Sequence, residues 1–293
     1  MTGVGVAGTL APSNGVDQGE ELMAFLPLRE VRAESGALYD EWLDTIEREL
    51  DDPSCDRSEL CRRVLTELFY PGLRDADPAS LPLGTRVGLA QMDPRNVTLE
   101  PEYYRDIDAE QYARVKPLLW LWEMFDKSPA GENVELGIRF RRILARHIFR
   151  RCGSNFKAFH QVKFSFGYNM EVGDNVVVHR HVLLDDRGGI ELGDGCSIAD
   201  YANVYSHTHD IRDQREVYSP KTVLGAGVRI TYHATILAGV HVADDGMVGA
   251  MALATKNVSS GAVAVGIPAK ARFHKPPREE RPDYPASDDP LAR

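Results

Sequence analysis

The chain is poor in cysteine, in positive charge and in long apolar runs. Its four cysteines, Cys55, Cys61, Cys152 and Cys196, form no Cys-x-x-Cys pair and no zinc-like spacing, so neither a disulfide framework nor a cysteine-built metal site is expected. Against 44 acidic residues stand 34 basic ones, a formal charge of −10. That balance works against a general nucleic-acid or anionic-membrane binder, which needs a positive field. No run of about 18 apolar residues occurs, so no membrane-spanning helix is expected. The N-terminal stretch lacks the basic and sustained apolar regions of a secretion signal, which makes the cytoplasm the expected location.

What the chain does have is a beat of six across residues 166–258. Large apolar residues stand at Phe166, Val172, Val178 and Leu184, then at Leu192, Ile198 and Val204 after a slip of two. The beat stops for twenty residues and returns at Leu224, Ile230, Ile236, Val242 and Val248, fading to Ala254. Smaller apolar residues, among them Val176, Val182, Cys196, Ala202 and Val228, sit between beats. A hexapeptide period carried this far predicts a parallel β-helix. Cys196 falls on an inward slot, where a small buried hydrophobe is expected rather than a nucleophile. Gly173-Asp174-Asn175, Gly193-Asp194-Gly195 and Gly225-Ala226-Gly227 recur in one slot, as tight corners with left-handed backbone would require.

The preceding half reads differently. Residues 1–18 are too small and polar to offset the entropy of ordering, and disorder is expected there. A mainly α-helical module is expected over 19–160. Leu38, Trp42, Ile46 and Leu50 recur at helical spacing, and Leu60, Val64, Leu65 and Leu68 do so before Tyr70-Pro71-Gly72. Residues 74–106, rich in Pro, Asp and Gly, read as extended or looped with short strands. Pro117 starts or kinks a helix that is apolar nearly all round. Arg139, Arg142, Arg146, Arg150 and Arg151 then interleave with Leu136, Phe140, Ile143, Leu144 and Ile148. A solvated face, or pairing with this acidic chain's carboxylates, accounts for such arginines better than phosphate or nucleic-acid contact does. The β-helix is expected over 161–262 with a loop at 205–223, then a C-terminal extension at 263–275 and a flexible tail at 276–293.

The repeat resembles the hexapeptide-repeat acyltransferases, in particular the maltose and galactoside O-acetyltransferase branch. Three stretches carry the resemblance: Gly189-Ile190-Glu191-Leu192-Gly193-Asp194 leading through Val204 to His209; Ala234-Thr235-Ile236-Leu237-Ala238-Gly239-Val240; and Thr255-Lys256-Asn257-Val258 followed by Gly266-Ile267-Pro268-Ala269-Lys270. It covers roughly the last 45% of the chain. It implies a left-handed parallel β-helix, against the usual handedness of crossovers. It also implies a homotrimer with sites between subunits, and an acyl-coenzyme A, acetyl-CoA above all, as donor. The acceptor would be a small sugar, glycoside or other alcohol, with no nucleic acid, membrane or metal cofactor involved.

A neutral hydroxyl attacks a thioester poorly and needs a base, a role suited to histidine. The family's catalytic histidine lies five residues past the last beat before the loop, and counting from Val204 reaches His209. Its neighbour His207 is expected in the loop or the acceptor site. Asp210 or Asp213 either orients the imidazole or stabilises a turn, and the sequence leaves both open. Transfer is expected to be direct, within a ternary complex. By the same resemblance Ala238, Gly239, Ala250, Thr255, Lys256 and Lys270, with Arg272 a further candidate, would hold coenzyme A. Asp185 and Asp186 would contact the acceptor or else form an ordinary acidic corner. Arg229 stands where the family often has tryptophan, which points to a different acceptor from those of the namesakes. Two alternatives share the scaffold. One is a zinc hydratase like the γ-class carbonic anhydrases, which hold zinc with three histidines across a trimer interface, for which His179, His181, His207, His209 and His233 are candidates. The other is a non-catalytic trimeric scaffold.

Overall fold

A computed structural model describes residues 31–277 and residue 280; the expected tails at 1–18 and 276–293 lie largely outside these residues. Among the described residues six α-helices, α1 (Ala33–Asp51), α2 (Arg57–Phe69), α3 (Leu83–Ala90), α4 (Ala109–Phe125), α5 (Pro129–Glu132) and α6 (Val134–Ile148), precede eighteen short strands and one longer one. Sixteen of the strands form three parallel stacks, the faces of a prism. The first runs Arg151–Cys152, Met170–Val172, Ile190–Leu192, Thr222–Leu224, His241–Val242; the second from Lys157–Ala158 through Val177–Val178, Ser197–Ile198, Arg229–Ile230 and Met247–Val248 to Ala262–Val265; the third from Lys163–Phe164 through Leu183–Asp185, Asn203–Tyr205 and Thr235–Ile236 to Leu253–Ala254. This is the left-handed parallel β-helix that the beat and the resemblance imply.

Every third beat residue lies directly over its predecessor. Val172, Leu192, Leu224 and Val242 are register partners on the first face; Val178, Ile198, Ile230 and Val248 on the second; Leu184, Val204, Ile236 and Ala254 on the third. All are at most 1% exposed. A side chain turned inward from each strand thus meets its like from the coil above, and the core is a column of aliphatic layers. The column starts at Cys152, Ala158 and Phe164, partners of Val172, Val178 and Leu184. That is earlier than the sequence beat suggests. Phe166, its first expected member, is buried but lies in a corner outside any strand.

The slips in the beat fall on one corner. From third face to first the inward residues are eight apart at Phe164 to Val172 and at Leu184 to Leu192, then twenty apart at Val204 to Leu224. The other two corners keep six. At the corner from first face to second, the glycine that opens each triplet is required by closeness, not by handedness. A Cβ on Gly193 would stand 2.5 Å from Ala226 N, and one on Gly173 would stand 2.8 Å from Asp194 N. The left-handed residue is the third of each triplet, Asn175, Gly195 and Gly227. The aspartate between them bridges coils: Asp174 accepts from Ser154 N at 2.7 Å and Asp194 from Asp174 N at 2.8 Å.

The helices cover the open N-terminal end of the prism and share its core. Trp122 of α4 packs edge-on to Phe164 and donates from Nε1 to Val162 O at 2.9 Å. Arg141 of α6, 1% exposed, donates to Asp126 (Nε, 2.8 Å) and to Ala158 O (3.1 Å), while Asp126 also accepts from Gln161 N at 2.7 Å. One buried ion pair therefore ties two helices to the first coil. Burial pushes the Asp126 carboxyl upward, and Arg141 opposes this. Of the other arginines of α6, Arg139 pairs with Asp40 and Arg146 with Glu47, while Arg142 donates from Nε to Phe156 O at 2.9 Å. In α1 the buried stripe is Leu43, Ile46 and Leu50; Leu38, expected inside, is 61% exposed. Pro117 sits within α4, which begins earlier, at an Asp108 cap. The stretch 74–106 holds α3 and 3-10 turns in place of strands.

Replacing Arg141 with alanine leaves the Asp126 carboxylate buried and uncompensated, with an expected loss of about 3–5 kcal/mol. Denaturant unfolding measures this. A loss under about 1 kcal/mol would show that the pair does not anchor the cap.

Candidate active site

Residues 205–222 leave the prism at the corner where the beat slips and return in register. The loop is a hairpin. Thr208–His209 pairs antiparallel with Val217–Tyr218, and Asp210 N donates to Glu216 O at 3.0 Å. Its base is clamped by hydroxyls. Ser206, fully buried, donates to Asp185 O at 2.6 Å and accepts from Gly188 N at 2.8 Å. Thr222 donates to Tyr205 O at 2.6 Å and accepts from Gly239 N at 2.9 Å. Gly188 fits where the loop's two legs converge: a Cβ there would lie 2.3 Å from Ser206 O and 2.4 Å from Ser219 O.

His209 stands exposed on this hairpin, and its Nδ1 lies 2.5 Å from Gln214 O. A carbonyl oxygen only accepts, so Nδ1 carries the hydrogen and the neutral ring keeps its lone pair at Nε2. The hairpin's own backbone thus sets the tautomer. Neither candidate carboxylate is spent on it: Asp210 accepts from Arg212 N and Asp213 N, and Asp213 pairs with Arg215. Both stabilise the turn. No residue-type signal points to Gln214, because a main-chain carbonyl does the work.

His207 is turned inward, with Nδ1 against Asp185 Oδ2. Asp185, 3% exposed, also accepts from Ser165 Oγ at 2.7 Å. Burial would raise its carboxyl, but the bonds from His207 and Ser165 outweigh that and hold it below the ordinary value. Asp186 is wholly enclosed. It accepts from Phe166 N at 2.7 Å and Asn169 N at 3.1 Å, and burial pushes it up to about 6 against those bonds. It holds the corner and does not face an acceptor. The next residue, Arg187, bonds Asp106 at 2.9 and 3.1 Å and stacks 4.1 Å from the Tyr104 ring. The helical half of the chain is therefore fastened directly to the corner beside His207, a contact with no sequence signature.

The remaining candidates divide between two edges. Ala238, Gly239, Thr255 and Lys256 follow the loop at the same corner in the next two coils, Thr255 and Lys256 exposed. The Gly239 N–H is already taken by Thr222. Ala250 lies at the corner from second face to third, Arg229 is exposed on the second face between Ser197 and Met247, and Lys270 is in the closing hairpin opposite Val265. His179, His181 and His233 also gather away from the loop: His179 stacks on Phe159, and His181, Tyr201 and His233 form a ladder with centroids 4.7 and 4.9 Å apart. Among the described residues no three His, Cys, Asp or Glu side chains converge as metal ligands within the chain, and no helix is long and apolar enough to cross a membrane.

No family model matches the chain. By sequence it is 30% identical over 134 residues to the galactoside O-acetyltransferase of Escherichia coli K12, an alignment spanning 44% of this chain and 66% of that enzyme. It is 24% identical over 147 residues to a putative acetyltransferase of Saccharomyces cerevisiae, 49% of this chain and 72% of the relative. The solved maltose O-acetyltransferase of Clostridium difficile 630 superposes with a TM-score of 0.51 at 23% identity, covering 58% of this chain and 90% of that one. A galactoside acetyltransferase in complex with coenzyme A gives 0.52 at 24% identity, covering 60% and 86%. These structures share the fold.

Two substitutions separate the loop's anchor from its acidic tip. Gly188→Ala should lower kcat/KM by more than about tenfold with little change in melting temperature, whereas Asp213→Asn should stay within about threefold of the parent. Activity assays beside thermal melts decide this. A large loss in Asp213→Asn would restore a carboxylate to the imidazole.

Proposed function

This chain belongs to the hexapeptide-repeat acyltransferases, of the galactoside and maltose O-acetyltransferase type, and we propose that it transfers an acetyl or other short acyl group from coenzyme A to a hydroxyl of a sugar-like acceptor. The observation that carries the reading is His209, with Nδ1–H committed to Gln214 O and Nε2 left as a base. In this scheme Nε2 takes the proton of the acceptor hydroxyl as its oxygen attacks the thioester carbonyl. The carbon–sulfur bond then breaks, and the imidazolium returns the proton to the departing thiolate. An ester and free coenzyme A result, with no acyl-enzyme. Cys196, fully buried with its thiol pushed up to about 12 by burial, is no nucleophile.

Coenzyme A would run along the loop corner past Ala238, Thr255 and Lys256, with Ala250 and Lys270 contributed from another edge. That division supports a homotrimer, in which the loop edge of one copy faces the second face of the next and brings Arg229 toward the site. A donor of this kind fits a cytoplasmic enzyme.

His209→Ala should lower turnover by about 10²–10⁴-fold, the usual worth of a general base, with coenzyme A affinity retained. Thiol release from acetyl-CoA against a panel of glycosides, simple alcohols and amines measures it, and amine preference would shift the reading to N-acylation. Undiminished transfer in this variant would sink the assignment of His209.

A further inference from the structure

His207 and His209 alternate with Ser206 and Thr208, so the two histidines project to the same side of the hairpin's first leg. Their rings meet edge to face, centroids 5.5 Å apart at 81°. Their anchors differ in kind. His209 is held by a carbonyl, His207 by the Asp185 carboxylate, itself held by Ser165 Oγ at 2.7 Å. The His207 Nδ1 atom is buried, yet 19% of the side chain remains open. The open edge is therefore the far one, which carries Nε2. An ionised carboxylate only accepts, so the proton of a neutral ring sits on Nδ1 and Nε2 is an acceptor. Asp185, enclosed and doubly occupied, cannot reach a ligand itself.

We propose that His207 is an acceptor-binding residue, positioned by Asp185, whose Nε2 takes a hydrogen bond from a second hydroxyl next to the one acylated. The enzyme then selects acceptors with neighbouring hydroxyls over simple alcohols. The inference rests on the O-acyltransferase reading above and names its substrate class. One imidazole removes the proton of the reacting hydroxyl while the other holds its neighbour, which fixes the approach of the attacking oxygen.

The test uses the full chain, acetyl-CoA, a hexopyranoside that serves as acceptor, and the deoxy analogue lacking the hydroxyl beside the acylated position. For the parent enzyme, KM for the deoxy analogue should be about tenfold higher or more, the cost of one lost hydrogen bond to an enclosed partner. His207→Ala should raise KM for the hexopyranoside by a similar factor and penalise the deoxy analogue severalfold less. His207→Gln, which restores an acceptor oxygen at the same reach, should recover part of the loss. Asp185→Asn should shift KM in the same direction. Equal losses on both acceptors in His207→Ala, or an unchanged KM, would overturn the proposal. Should that variant not fold, a parent enzyme indifferent to the missing hydroxyl overturns it equally. Transfer that needs His209 but ignores His207 leaves the acyltransferase reading standing; no transfer to any hydroxyl sinks both.

Discussion

Each coil of the prism must set its inward residues over those of the coil before. Leu192 sits on Val172 and carries Leu224, and the same holds on the other two faces. A residue added within a strand would turn the inward set outward, because side chains alternate at every position. Extra chain can therefore leave only at a corner and must return in register. The third corner takes all of it, two residues after Phe164, two after Leu184 and a long excursion after Val204. The same requirement that holds the fold together decides where a loop can stand.

The excursion would be a floppy appendage without its clamps. Ser206 and Thr222 fasten its two ends to neighbouring coils, and Gly188 lets the two legs draw together. Inside that frame the hairpin directs one carbonyl, Gln214 O, at His209, and the coil before it directs one carboxylate, Asp185, at His207. Positioning is thus supplied by short hydroxyl and backbone contacts of the scaffold, the kind of support that keeps a reacting group in place. The helical half adds a further brace through Arg187, Asp106 and Tyr104.

The faces of the prism were legible in the sequence because burial enforces a period on them. His209 was reached only through the resemblance, by counting five residues past Val204, and it stands exposed on the hairpin. The start of the column was not legible, since Cys152 and Ala158 are too small to stand out, and Phe166 keeps the count while lying in a corner. Asp185 and Asp186 look alike in sequence, yet one holds a histidine and the other is consumed by backbone N–H groups. Only packing separates them. Asp210 and Asp213 stand beside the histidine in sequence but face the turn. Gln214 acts through its main chain, where side-chain identity leaves no trace.

The central claim is that the hairpin backbone sets the His209 tautomer and so makes its outer nitrogen the base. Nitrogen NMR of histidine-labelled protein at neutral pH, with the His209 signals assigned by their loss in His209→Asn, observes this directly. The account predicts a protonated Nδ1 and an unprotonated Nε2 for His209. A ring carrying its hydrogen on Nε2 would contradict it.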